Sequence, residues 1–181
     1  MNESIQTLIE GCRRKERRAQ QAIYERYARR LYVACLRITG NPADAEEAMQ
    51  DAFLKAFGRI EQFDSERCFA AWLQRIAVRT AIDHLRVQPE TWEALPDGYT
   101  EQAEEETADE EQVQLTVEAI RRAMQQLANG YRVILSLYLF EGYDMDEIAS
   151  ILKLQPASVR SQYLRGKRKL VELIRNEAWT D

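Results

Sequence analysis

Residues 143–174 read YDMDEIASILKLQPASVRSQYLRGKRKLVELI, and their spacing decides the fold class. Asp144 stands where a helix N-cap belongs, and Glu147, three residues on, completes a capping box. Ile148, Ala149 and Leu152 share one side of the short helix that follows. Lys153 to Gln155 make a turn, and Pro156 opens a second helix at its first position, where a missing N–H costs nothing. Along that helix Val159, Tyr163, Gly166 and Leu170 recur at spacings of 4, 3 and 4, which makes one inward face. Arg160, Ser161, Leu164, Arg165 and Arg168 lie opposite. A short helix, a tight turn and a second helix with a basic outer face describe a helix-turn-helix. The physics suits DNA: an α-helix fits the major groove, Arg pairs bidentately with guanine, and other cations neutralise phosphate. A solvated basic helix is the plainer alternative for this segment, because cations also suit helix C-termini.

Outward from this segment the apolar period stays helical. Ile23, Tyr27, Leu31, Cys35 and Ile38 predict a helix over residues 16–38, stopped by Gly40. Asn41-Pro42 restarts the chain as N-cap and first helical residue, with Asp44, Glu46 and Glu47 near the positive end of the dipole. That helix turns Ala45, Ala48, Met49, Ala52, Phe53 and Ala56 inward and ends near Gly58. After a loop from Glu61 to Cys68, a third helix runs from Phe69 to Arg86 with Trp72, Leu73, Ile76, Ala77, Thr80 and Leu85 on its apolar side. Trp72 therefore reads as core. Helical period returns at Val113, with Val117, Ile120, Met124 and Leu127, until Asn129-Gly130 breaks it. An apolar helix, Tyr131 to Phe140, follows and stops at Glu141-Gly142. No segment alternates as a strand. The fold expected is all-α: two small helical domains, 1–88 and 113–178, joined by an acidic flexible linker, 89–112.

Composition narrows the function classes. Of 181 residues 45% are hydrophobic and 30% charged, too apolar for wholesale disorder. No run approaches the roughly 18 apolar residues of a membrane span, and the N-terminus leads into the charged segment CRRKERR rather than a signal sequence. A soluble, cytoplasmic protein is expected. The net charge of −5 hides an asymmetry: residues 1–88 carry +3, residues 89–112 carry −10 with no base, and residues 113–181 carry +2. Within the last segment, residues 156–175 hold six bases and one acid. Cys12, Cys35 and Cys68 are scattered, and His84 is the one histidine, so no zinc-ligand spacing exists. The cysteines read as small reduced residues in or near helix cores. No Gly-rich phosphate loop and no catalytic or metal constellation is present, so neither an enzyme nor a cofactor is expected.

Taken together, these segments resemble the extracytoplasmic-function group of bacterial sigma factors, over nearly the full length. YERYARRLYVACLRITGNPADAEEAMQDAFLKAF from Tyr24, ending in WLQRIAVRTAIDHLR from Trp72, resembles their region two; Leu127 to Leu170 resembles their region four. The resemblance implies a promoter-specificity subunit whose partners are core RNA polymerase, through the clamp coiled coil and flap of its two large subunits, promoter DNA, and an anti-sigma protein. It implies a polymerase-binding set on the second helix: Glu47, Gln50, Asp51 and Leu54. It implies a set that melts the minus-ten element: Phe63, Asp64 and Arg67 in the loop, and Arg75, Arg79 and Arg86 along the next helix. It implies upstream-element contacts by Ser158, Arg160, Ser161, Leu164, Arg165, Lys167 and Arg168. The linker's −10 charge suits a channel that otherwise holds nucleic acid, with Trp92 and Tyr99 as anchors; a plain soluble tether is the alternative.

The chain departs from the group's pattern in places. Arg79 stands where Asn is usual, Gln162 where Arg is common, Gly166 where Ala is common, and Gln155 where Ser or Thr caps the helix. VQPE replaces the basic run that often follows Arg86. Three other readings stay open on the residues alone: a self-sufficient helix-turn-helix regulator, a small helical enzyme, and a module whose basic helix meets an acidic protein.

Overall fold

The structure, a computed structural model, describes residues 4–64, 67–87 and 117–178. All regular elements among them are helical, as the periodicity predicts. The chain divides into two compact units, Met1–Pro89 and Glu90–Asp181.

The first unit opens with a helix that the sequence reading passed over, α1 (Ile5–Arg13). Ser4 caps it, its Oγ accepting from the Thr7 N–H at 3.1 Å, and Leu8, Ile9 and Cys12 are buried. The corner into α2 (Arg17–Thr39) runs through Lys15 at φ +60°, a left-handed conformation that L-residues adopt at a cost. The corner is that sharp because the two helices touch: a Cβ at Gly11 would stand 2.6 Å from the Cβ of Ala19. α2 buries Ile23, Leu31, Ala34, Cys35 and Ile38 and ends at Gly40, φ +71°. Asn41 then caps α3 (Pro42–Gly58), its Oδ1 accepting from the N–H groups of Ala43 and Asp44 at 2.8 and 3.2 Å. The six residues expected to face inward on α3 are all buried. Four of them are alanines, so α3 approaches its neighbours closely. A 3₁₀ turn, Ile60–Gln62, leads towards α4 (Phe69–Val87), which packs on both α2 and α3.

The second unit holds α5 (Val117–Gln126), α6 (Asn129–Leu139), α7 (Met145–Leu152) and α8 (Pro156–Ala178). Ala123, Met124, Leu127, Leu135, Leu170 and Ile174 form one cluster of its core, with Tyr131 and Tyr163 packed against it, and Ile134, Leu137, Ile148, Leu152 and Val159 are buried as well. Asn129 and Gly130 do not break the chain as expected; they already belong to α6, and the break is at Leu127–Ala128. The reason is Arg132, 6% exposed, which donates to the Leu127 carbonyl at 3.1 Å and to Asn129 Oδ1. Burial pulls its guanidinium below the ordinary arginine value.

The cysteines split. Cys12 and Cys35 are buried as expected, whereas Cys68 is exposed, because it lies just before α4 begins. Burial, and then the Glu16 carboxylate, push the Cys12 thiol up to about 11. Iodoacetamide at mildly alkaline pH is therefore expected to modify Cys68 first, and Cys12 and Cys35 only after denaturation, as peptide mapping would record. Gly11→Ala is expected to destabilise the first unit by about 1–3 kcal/mol, the overpacking at Ala19 outweighing the better helix propensity. Thermal melting of the variant should show a midpoint several degrees lower.

Candidate nucleic-acid interface

α7 and α8 build the helix-turn-helix with the caps read from sequence. Asp144 Oδ1 accepts from the Glu147 N–H at 2.8 Å, and Glu147 Oε2 accepts from the Asp144 N–H at 3.1 Å. Lys153, left-handed at φ +57°, ends α7, and Pro156 begins α8. On α8, Val159, Gln162, Gly166, Leu170 and Ile174 are buried, a stripe with spacings of 3, 4, 4 and 4. The candidates for the upstream element lie across the opposite surface and its flanks. Arg160, Leu164, Lys167 and Arg168 are exposed; Ser158, Ser161 and Arg165 are half-buried. At about 100° per residue, Ser161, Leu164 and Arg168 lie along the crest, Arg160 and Lys167 on one flank, Ser158 and Arg165 on the other. Arg160 stands 4.0 Å from Asp146 on α7, both well exposed, a pair weak enough for a phosphate to displace.

Two departures from the family pattern acquire a place here. Gln162 faces inward, so it does not alter the outer surface. Gly166 is where α8 meets α6: a Cβ there would lie 3.1 Å from Tyr131 Cβ and 3.3 Å from Leu135 Cδ1.

In the first unit, α4 aligns Arg75, Arg79 and Arg86 at spacings of 4 and 7 on its outward face. Arg75 and Arg79 are exposed, while Arg86 is half-buried and 4.0 Å from Asp83. In the loop before it, Arg67 and Asp64 are exposed, 3.6 Å apart, and the Arg67 N–H donates to the Asp64 carbonyl at 3.0 Å. Phe63 differs from the loop expectation, being 3% exposed. Its ring packs edge-on against Phe69 and tilted against Trp72, both centroids 5.2 Å away. An apolar ring at the mouth of an apolar bundle is buried there before it can offer a free face to a base.

On α3, Glu47, Gln50 and Leu54 form an exposed stripe, with Leu54 69% exposed. Asp51 sits at its edge and is engaged: His84 Nε2 lies 3.0 Å from Asp51 Oδ2. One turn along, Lys55 Nζ donates to Thr80 Oγ1 at 3.2 Å, giving two polar rungs across antiparallel α3 and α4. Asp51, which the resemblance assigns to an outside partner, also ties two helices together. Sequence reasoning missed this pair, and with it α1, for which Ser4 followed by Leu8, Ile9 and Cys12 was a legible signal. The acidic linker, with Trp92 and Tyr99, lies outside the described residues. Among the described residues no cluster of metal-binding side chains occurs, and no helix is long and apolar enough to cross a membrane.

Comparison with known proteins gives a consistent result. The Sigma-70 region 2 model matches residues 23–90 and the Sigma-70, region 4 model matches residues 117–170. The RNA polymerase sigma-H factor of Pseudomonas aeruginosa is 27% identical over 178 residues, covering 93% of this chain and 92% of that protein. The ECF RNA polymerase sigma factor SigW of Bacillus subtilis is 27% identical over 186 residues, covering 97% of this chain and all of that one. Among solved structures, the sigma factor RpoE in complex with the anti-sigma factor NepR from Bartonella quintana matches with a TM-score of 0.56. It is 18% identical and covers 86% of this chain and 96% of that chain, a likeness of fold.

Asp51→Ala leaves a half-buried imidazole N–H without its acceptor and is expected to cost about 1–2 kcal/mol of stability. Leu54→Asp, on an exposed position, is expected to stay within about 0.5 kcal/mol. Urea unfolding midpoints of the two variants would separate these outcomes.

Proposed function

The chain belongs to the sigma-70 family of RNA polymerase sigma factors, in its extracytoplasmic-function group, and from that premise we propose how its surfaces divide the work. As a sigma factor it is a non-catalytic regulator of transcription initiation. Residues 1–88 act as the region-two domain, residues 113–178 as the region-four domain, and residues 89–112 as the acidic tether between them. The outward face of α8 reads the upstream promoter element in the major groove, and Arg160 and Arg165 supply the directional donors for base edges. Ser161 and Leu164 fill the space between them, while Ser158, Lys167 and Arg168 hold phosphates. The observation that carries this reading is that the basic face of α8 stands opposite the stripe burying Val159, Gly166 and Leu170. A helix held along one side presents the other as a rigid unit.

The minus-ten element falls to α4 and the loop before it. Taking a base out of the stack costs a few kcal/mol, which a protein offsets with a pocket and charge. Arg75, Arg79 and Arg86 provide the cationic track on α4, and Asp64 and Arg67 the polar rim of the loop. Phe63 serves from within, as the buried anchor on which the loop turns. On α3, Glu47, Gln50 and Leu54 dock on the clamp coiled coil of core polymerase, with Asp51 at the margin. Acidic and polar groups around one exposed leucine suit a basic helical partner. The second unit meets the flap. Control by an anti-sigma protein in the cytoplasm completes the proposal; the Bartonella quintana relative was solved bound to one.

Transcription with purified core polymerase on genomic template, with start sites mapped, tests the whole reading. Discrete start sites that depend on this chain support it; their absence defeats it. Strong site-specific DNA binding by the isolated chain would favour the self-sufficient regulator instead. Arg165→Ala is expected to weaken use of the upstream element by about 1–3 kcal/mol, roughly 5- to 150-fold, without changing affinity for polymerase. Leu54→Asp should do the reverse, lowering polymerase affinity about tenfold or more while use of the upstream element by holoenzyme assembled at saturating sigma factor stays unchanged. Binding titrations of both variants against core enzyme, and of the assembled holoenzymes against promoter duplex, would show the two effects apart.

A further inference from the structure

The loop assigned to the minus-ten element leaves the bundle at Phe63, and one of the contacts that hold Phe63 comes from outside the segment that matches the region-two model. That model begins at residue 23, whereas α1 ends at Arg13. Arg13 Nη2 donates to the Phe63 carbonyl at 3.0 Å, across 50 residues of sequence. Its Nε lies 3.9 Å from Glu61 Oε2 and is a buried atom without a hydrogen-bond partner. Glu61 is 74% exposed, so its carboxylate is largely solvated and the carbonyl bond matters more.

The Phe63 carbonyl is a group that needs a partner. Phe63 follows the 3₁₀ turn as its C-cap, in extended backbone (φ −71°, ψ 120°), while its own N–H is spent on the Ile60 carbonyl. A carbonyl at such an end is satisfied by a side chain or by water. Arg13 reaches it because α1 is pinned: Leu8, Ile9 and Cys12 are buried, and Gly11 lies against Ala19. Phe63 is thus gripped twice, its ring by Phe69 and Trp72, its backbone by Arg13. The next residue, Asp64, is already exposed. A guanidinium donates along fixed directions, so this grip sets direction as well as distance.

We propose that Arg13 is a positioning residue for promoter opening: it fixes the direction in which the loop leaves Phe63, and thereby where Asp64 and Arg67 meet the displaced strand. This rests on the assignment of the loop to the minus-ten element, and the controls separate the two. The test uses the full chain in holoenzyme and a promoter recovered by start-site mapping with the wild type. Arg13→Met keeps the aliphatic stem and removes the donor. Arg14→Ala is the charge control, since Arg14 sits one residue away and pairs with Glu16 at 2.7 Å.

Two readouts are needed. Amide hydrogen exchange at Phe63 and Arg67, whose N–H groups bond to Ile60 and Asp64, reports the loop, and the amides of α2 and α4 report the fold. The rate of strand opening at saturating holoenzyme, followed by permanganate reactivity of minus-ten thymines, reports function. Arg13→Met is expected to speed loop exchange and slow opening about three- to tenfold, with α2 and α4 still protected and core affinity unchanged. Arg14→Ala should change neither readout. Unchanged loop exchange in Arg13→Met, or an equal opening defect in Arg14→Ala, overturns the proposal. Faster exchange with normal opening also overturns it, and leaves the loop assignment standing provided Arg67→Ala and Arg79→Ala still slow opening. If those two are inert as well, the assignment itself has failed. Should Arg13→Met lose α2 and α4 protection, Arg13→Lys enters the same assays and is judged by the same outcomes.

Discussion

Close approach of helices through small side chains is the constraint on which the rest of this structure depends. Ala45, Ala48, Ala52 and Ala56 let α3 lie against its neighbours, Gly11 lets α1 touch α2 at Ala19, and Gly166 lets α8 touch α6 at Tyr131 and Leu135. Helices in proteins owe most of their stability to the packing of one apolar face. Burial on one side then presents the other side to solvent in a set orientation. The basic face of α8, the arginine stripe of α4 and the Leu54 stripe of α3 are each the reverse of a packed seam.

Polar groups refine what the apolar seams establish. Capping at Ser4, Asn41 and Asp144 says where helices begin, and left-handed residues at Lys15, Gly40 and Lys153 mark where they stop. Between helices, Asp51–His84 and Lys55–Thr80 set the alignment of α3 against α4, and Arg132 closes the corner between α5 and α6. Each such contact is worth about 1 kcal/mol net and weighs on local geometry more than on total stability. The pair Asp51–His84 also places the α3 face proposed for polymerase and the α4 face proposed for DNA on one rigid pair of helices.

Much of this was legible along the chain. The period of Ala45 to Ala56, the Asn41-Pro42 start, the Asp144–Glu147 capping box and the Pro156 start are local patterns with local causes, and each stands in the structure. The outward face of α8 was readable for the same reason: Val159 and Leu170 mark the inner side, and the rest follows from the helical turn. Departures arose where a side chain was taken up by another part of the chain, whether a few residues away or many. Asn129-Gly130 looks like a breaker until Arg132 bonds to Leu127 and Asn129. Phe63, in a loop by sequence, is drawn into a cluster with Phe69 and Trp72. Asp51, acidic on an outward-looking helix, is engaged by a histidine 33 residues away.

The sequence by itself determined the helical character of the described segments, the starts of α3, α4, α7 and α8 and the apolar side of each of these, and where charge of each sign collects. Those properties are set by backbone hydrogen bonding within a few residues and by the 3.6-residue turn, and need no knowledge of distant contacts. Only the tertiary structure decided which polar and aromatic side chains remain available on the surface. Arg13, Asp51 and Phe63 are taken up by partners 50, 33 and 6–9 residues away. Whether a residue is solvated or engaged depends on what the fold brings within about 3–4 Å of it, and separation along the chain carries no record of that distance.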